Sequence, residues 1–295
     1  MESTRLAASM ILASAFLARW AMAGSAASAP ADAFEEKIRT VGVRPGSYET
    51  VLIDEGKARA VVIAPEDAAG QAAAKALVAD LGARTGVELP IVPVHRAIRG
   101  RCRGPKDEYR KAPTILLGNI NSNEAIVPLY ARFLCFADAD YPGPGGYALR
   151  TIRNPWGTGE NVLLVAASDA EGLKTAVAEF AKLPELKAEK GRAAAGFVMK
   201  LAPNLPPAIR HDVNKVIPQA AAYAAAAKKD PKKLLDDYYA FPMAYLITAD
   251  PRLADALATY ARNVSAEFAP TFAVGDYTLE SVARLLQVIE NHNLV

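Results

Sequence analysis

Between Thr50 and Leu201 the apolar residues alternate between short unbroken runs and a three-and-four spacing, the signature of strands and helices in turn. Thr50-Val-Leu-Ile53 and Ala58-Arg-Ala-Val-Val-Ile-Ala64 read as strands joined by the turn Asp54-Glu55-Gly56. A helix is predicted from Ala68 to Leu81, with Ala72, Ala73, Ala76, Leu77 and Leu81 on one face and Gly82 and Gly86 at its exit. Val87 to Val92 is a further strand, and Pro90 inside it places it at a sheet edge. Thr114 to Leu117 is a buried strand running through Gly118-Asn-Ile-Asn-Ser-Asn123 into a helix from Asn123 to Phe133. Asn121 and Glu124 there have capping-box spacing. The glycine-rich turn from Tyr141 leads to the strand Tyr147 to Ile152, and Asn161 to Ala166 is a strand of six residues. Ser168-Asp-Ala-Glu171 reads as a second capping box, opening a helix that buries Leu173, Val177 and Phe180. Ala195 to Leu201 reads as a closing strand. The expected architecture is an α/β or α+β layered domain over residues 34–202.

The prolines from Pro203 to Pro207 mark a linker, assigned to residues 203–211, and residues 212–295 beyond it read as helices broken at Pro218, at Asp230-Pro231 and by a longer loop through Pro270 and Gly275. Asp250-Pro251 starts one helix with proline at its first position, and that helix buries Leu253, Ala256, Leu257, Tyr260 and Val264. A last helical stretch runs from Thr278 to Glu290 with Leu279, Val282, Leu285, Leu286 and Ile289 on its apolar stripe. Helical hairpins cannot bury such stripes alone, so this all-α segment is expected to be the truncated opening of a larger helical domain.

Composition narrows the function classes. The chain is 52% hydrophobic and 22% charged with a net charge of +2, which excludes wholesale disorder and gives no basic footprint for nucleic acid. Residues 1–29 have the form of a signal peptide, with Arg5, an apolar core from Leu6 to Ala18 and small residues at Ala21-Met-Ala23 or Ala27-Ser-Ala29; Glu2 and Arg19-Trp20 count against it, and an uncleaved membrane anchor or a cytoplasmic leader is the alternative. The expected location is therefore secreted or periplasmic, with no stable membrane span. That compartment permits a disulfide between Cys102 and Cys135, with two free thiols as the alternative. The spacing of Cys and His offers no metal site. Asp138 and Asp140 are too few carboxylates for a calcium cage. No P-loop, glycine fingerprint, nucleophile elbow or HExxH occurs, so no cofactor is expected.

Two stretches resemble known families. "TILLGNINSNEAIVPLY", "DADYPGPGGYALRTI" and "NVLLVAASDAEGLKTAVAEF", within Thr114 to Phe180, are similar to the α/β accessory domain preceding the catalytic domain of family 20 β-hexosaminidases and α-glucuronidases. The likeness is one of layout and covers about half of the region from Thr50 to Leu201. "DDYYAFPMAYLITADPRLADALATYARN", Asp236 to Asn263, resembles the early helical hairpins of (α/α) toroid enzymes, which include glycoside hydrolases and polysaccharide lyases. Together they imply an exported carbohydrate-active protein that cleaves glycosidic bonds in a polysaccharide, by hydrolysis or by β-elimination. In such toroids most working residues would fall after Val295. The alternative is a non-catalytic secreted protein that binds glycans or docks a partner.

Candidate site residues follow from these readings. Asp236, Asp237, Tyr239 and His292 are the side chains of the helical segment suited to proton transfer, and Tyr238 could stack a sugar ring. Tyrosines at helical spacing also serve as core, and carboxylates near a helix start favour its dipole. The segment from His95 to Lys111 carries Arg96, Arg99, Arg101, Arg103, Lys106, Arg110 and Lys111 against Asp107 and Glu108. Arg99, Arg101 and Arg103 are its candidates for holding an acidic polysaccharide or oligosaccharide, while a solvated surface insertion explains the same charges.

Overall fold

The computed structural model describes residues 49–100, 102–132, 134–183, 185–186, 190–195, 198–205, 215–219, 222, 244–245 and 247–256. The first hairpin is β1, Thr50–Asp54, and β2, Lys57–Ala58, closed by Glu55 and Gly56 with φ of 49° and 69°. Two successive positive φ values match the twist of an antiparallel pair. The stretch from Ala58 to Ala64, expected as one strand, divides. The amides of Arg59 and Ala60 both turn back to the Leu52 carbonyl, and β3, Val61–Ala64, enters a different sheet.

That main sheet has six strands. It includes β4, Ile91–Pro93, β5, Thr114–Leu117, β6, Tyr147–Ile152, β7, Val162–Ala167, and at one edge β10, Val198–Lys200. The order is β10-β6-β7-β5-β3-β4; the last four run parallel, while β6 and β10 are antiparallel to their neighbours. β4 does lie at the edge, and Pro90 contributes its carbonyl to the Val62 amide. The smaller sheet, order β2-β1-β9-β8, adds β8, Glu185–Leu186, and β9, Lys190–Ala193, two short strands that the apolar pattern does not announce.

Helices cover both faces of the six-stranded sheet. On one lie α1, Ala68–Thr85, and α5, Ala170–Phe180, packed over Val62, Ile115, Leu117, Leu163 and Val165. On the other lie α2, Val94–Ala97, and α4, Val127–Ala131, over Ile63, Leu116, Val162 and Leu164. Successive strand residues thus feed opposite cores, which is why β3, β5 and β7 read as unbroken apolar runs. A further short helix, α3, Asp107–Arg110, lies between β4 and β5.

Several predicted boundaries shift for identifiable reasons. α1 continues past Gly82, which a helix tolerates, and ends at Gly86, whose φ of 73° places it in the left-handed region; its amide closes on the Gly82 carbonyl at 2.7 Å. Its buried side is Ala73, Ala74, Leu77, Val78 and Leu81, so Ala72 and Ala76 face solvent. α5 is capped by Asp169, not Ser168: its Oδ1 accepts from the Gly172 amide at 2.7 Å. Ser168 is engaged elsewhere, accepting the Gly143 amide at 2.9 Å. The expected helix from Asn123 to Phe133 is a 3-10 turn, Glu124–Ile126, followed by α4, and its cap is Asn123 in place of Asn121.

The glycine-rich turn after Tyr141 seats directly on the start of α5. A side chain at Gly172 would place its Cβ 2.5 Å from the Gly146 carbonyl oxygen, and Asp169 Oδ2 accepts the Gly145 amide at 3.0 Å. Two kinds of glycine requirement can therefore be separated. Gly86→Ala meets no neighbour and incurs only the conformational penalty, about 1 kcal/mol. Gly172→Ala must displace backbone and is expected to lower the thermal midpoint further than Gly86→Ala. The reverse order would show that backbone packing at this turn is misassigned.

Candidate functional site

The fold offers three places where polar groups converge. The first is the carboxyl end of the parallel strands. β3 connects through α1 to β4 on one side, and the chain then returns to β5 on the other, so strand order reverses between β3 and β5. A crevice at such a point is the usual ligand position of open α/β sheets. Here it is filled. Asn123, fully buried, donates from Nδ2 to the Ile63 carbonyl at 3.0 Å and the Leu117 carbonyl at 2.8 Å. Asn119 repeats the device one strand along: Nδ2 donates to the Ala167 carbonyl at 2.8 Å, while Oδ1 accepts the Asn121 amide at 2.9 Å. The Pro65 ring packs beside them, so close that a Cβ on Gly70 or Gly118 would lie 2.5 Å or 2.8 Å from it. The Gly/Asn-rich turn is therefore a stitch between strand ends. Beside it, Glu66 Oε1 accepts the His95 amide at 3.2 Å and lies 2.6 Å from His95 Nδ1. A carboxylate-oriented imidazole can move a proton. This one is exposed, and the pair orders the start of α2.

The second place is on the opposite face, under the helical segment. Arg150 occupies a position of β6 that points into the α2 and α4 side, and it is 1% exposed. Its Nη1 donates to the Leu134 carbonyl. Its charge acts on two neighbours, Cys135 and Tyr245, in each case working against the burial that raises their pKa. Burial pushes the Cys135 thiol up to about 12 and the Tyr245 phenol up to about 12. Tyr141 adds a direct link, its hydroxyl donating to the Ile247 carbonyl. Asp250 starts the next helical turn as expected, with Pro251 first and Oδ1 accepting the Arg252 amide at 2.9 Å. The hydrogen bonds from the Arg252 guanidinium hold the Asp250 carboxyl below its ordinary pKa. Leu253 is fully buried.

The third place is the basic segment. It is a closed structure, with Arg99 donating its amide to the Gly104 carbonyl at 3.0 Å and Lys106 its amide to Ala97 at 2.7 Å. Arg99 forms an ion pair with Asp107, so it is committed within the segment. Arg103 is exposed and gives its carbonyl to Arg110 Nη2 at 2.6 Å. The Arg110 guanidinium lies 5.2 Å from the centre of the Trp156 ring, and Thr158 Oγ1 donates to the Arg110 carbonyl. Arg110 Nε and Trp156 Nε1 are buried without a hydrogen-bond acceptor. Arg101 lies outside the described residues, as do Asp236, Asp237, Tyr238, Tyr239 and His292.

Cys102 is an exposed thiol in the tight turn of the basic segment, with φ of 65°, whereas Cys135 is buried; both are free. Asp138 is a turn cap: Oδ1 accepts the amides of Asp140 and Tyr141, and Oδ2 accepts the Tyr130 hydroxyl at 3.0 Å. Among the described residues no group of three His, Cys, Asp or Glu is arranged for a metal ion, and no helix is long and apolar enough to cross a membrane. Sequence reasoning missed Arg150 and the Arg110–Trp156 stack. The signal for Arg150 was a lone arginine inside an otherwise apolar strand; the stack joins residues too distant in sequence for any local pattern to mark it.

No protein-family model matches the chain, and a search of curated proteins finds no match.

Two outcomes follow. Asn123→Ala strips two buried carbonyls of their donor and is expected to cost about 2–4 kcal/mol in denaturant unfolding, and Asn123→Asp more at neutral pH, since it sets an acceptor against both. A loss below 0.5 kcal/mol, on the order of a neutral surface change, would remove Asn123 from this role. In unreduced protein one thiol is expected to react with a disulfide reagent in the native state and two in denaturant. The folded-state pKa of Cys135 is raised from near 9 to about 12, so its contribution to stability is complete below pH 9 and lost as pH rises toward 12. Zero reactive thiols in denaturant would establish a disulfide instead.

Proposed function

We propose that this chain belongs to an exported carbohydrate-active protein, in which the α/β layer is a supporting module and the helical segment opens an (α/α) toroid that acts on a polysaccharide. The observation that carries the reading is the seat under residues 244–245 and 247–256. A fully buried arginine, a buried tyrosine and the Tyr141 hydroxyl join the β6 side of the sheet to the helical turn at Ile247. A layer whose strand-end crevice is lined from within, with Tyr245 and Leu253 of the helical segment buried, suits a positioning role better than a catalytic one. Glycosidic cleavage would then fall to side chains of the helical domain, by paired carboxylates in hydrolysis or by proton abstraction beside a uronate in elimination. Asp236, Asp237, Tyr239 and His292 remain the candidates of this chain, with Tyr238 for stacking.

Affinity electrophoresis of the full chain through gels containing neutral and acidic polysaccharides tests the reading. Retention by at least one of them is expected. Unchanged migration in all, together with a stoichiometric complex with another protein, would replace this function with the partner-docking alternative. Removing the hydrogen bond from Tyr141 to the Ile247 carbonyl by Tyr141→Phe is expected to cost about 1 kcal/mol of stability, read by denaturant titration; no change would mean that the seat does not depend on it.

A further inference from the structure

The basic segment carries more cations than its two carboxylates, Asp107 and Glu108, can balance, and it packs beside the turn holding Trp156. Arg99 is balanced by Asp107, and Arg110 is held between the Trp156 ring and the Arg103 carbonyl. Arg103, Lys106 and Lys111 are exposed, and among the described residues no carboxylate pairs with their side chains. Gly104 brings the segment onto the stack: a Cβ there would lie 3.4 Å from Arg110 Nη2 and 3.6 Å from Trp156 Cη2. Within it, Arg110 Nε and Trp156 Nε1 are buried without an acceptor. Clustered cations beside a low-dielectric aromatic wall focus a positive potential.

We propose that this surface, Arg103, Lys106 and Lys111 around the Arg110–Trp156 stack, binds an acidic saccharide bearing uronate carboxylates or sulfate esters. The proposal rests on the carbohydrate-active reading above and names the ligand class. Guanidinium and ammonium groups supply charge-assisted hydrogen bonds to oxyanions, and a half-buried indole edge offers an apolar surface to the sugar ring. A nucleic acid is the poorer fit, because the chain carries a net charge of only +2 and its sequence shows no stripe of Lys and Arg interleaved with aromatics.

The test is affinity electrophoresis of the full chain in matched gels containing polygalacturonate, heparin or dextran, with double-stranded DNA at equal charge concentration as a fourth medium. Folding of each variant is checked by circular dichroism and thermal midpoint. Retention by an acidic polysaccharide but not dextran is expected, weakened about tenfold by the double variant Arg103→Glu/Lys106→Glu. Trp156→Ala is expected to weaken it while Trp156→Phe retains most of it, since the ring is kept. Undiminished acidic retention in the folded double variant would overturn the proposal, as would equal retention by DNA. Retention by dextran alone would overturn this proposal and leave the proposed function standing; no retention in any polysaccharide would remove both.

Discussion

Where three parallel strands end side by side, their last carbonyls need donors, and in this protein two asparagine amides supply them. Asn123 bridges the Ile63 and Leu117 carbonyls of β3 and β5, and Asn119, two residues beyond β5, donates to the Ala167 carbonyl that ends β7. Both side chains come from a single turn, Gly118 to Asn123, whose own backbone is ordered by the same side chains: Asn119 accepts the Asn121 amide and Asn123 caps the 3-10 turn after it. The constraint propagates outward. Closing the crevice this way lets Pro65 pack against Gly70 and Gly118, which fixes the start of α1, and aligns the β7 end from which Asp169 caps α5. The six-stranded sheet and the helices on its first face are thus tied at one end by a few buried polar contacts, each of which would be costly to leave half-made.

With that end sealed, the rest of the polar chemistry is displaced to two other surfaces. One is the seat on the second face, where Arg150 is buried with Cys135 and Tyr245 and where Tyr141 reaches the Ile247 carbonyl. A buried charge is expensive, and here part of that cost is offset by the hydrogen bond from Arg150 to the Leu134 carbonyl. The other is the basic segment with the Trp156 turn, at the amino ends of β5 and β7, where Thr158 and Arg110 lock two loops together. The layer thus meets the helical turn at Ile247 on its second face and presents exposed cations at the amino ends of β5 and β7.

The strongly apolar elements were legible because the physics that forms them is local. β5 and β6 fall where their apolar runs predict, α5 buries Leu173, Val177 and Phe180 as its spacing requires, and Asp250-Pro251 starts a helical turn. Errors gathered where several residues compete for one job. Asn121 and Asn123, or Ser168 and Asp169, are equally good caps on paper, and tertiary partners decide between them: Asn121 goes to the Ala139 amide and Ser168 to the Gly143 amide. The break at Arg59 and Ala60 depends on which sheet each half joins, a choice the seven-residue run does not encode. The basic segment was legible as charge but not as structure. Composition alone could not distinguish Arg99, spent on Asp107, from Arg103, left exposed, or show that Arg110 finds Trp156. The candidates at 236–239 and at His292 lie outside the described residues, and for them the sequence reading stands alone.

The most direct test of a sealed strand end with recognition displaced elsewhere is hydrogen–deuterium exchange of the full chain, with and without a saturating acidic oligosaccharide. The account predicts protection in residues 99–111 and 153–161, and none in residues 65–71 or 118–124, whose hydrogen bonds are already made within the fold. Protection confined to the 65–71 and 118–124 segments would contradict it, by showing that the crevice between β3 and β5 opens to receive a ligand.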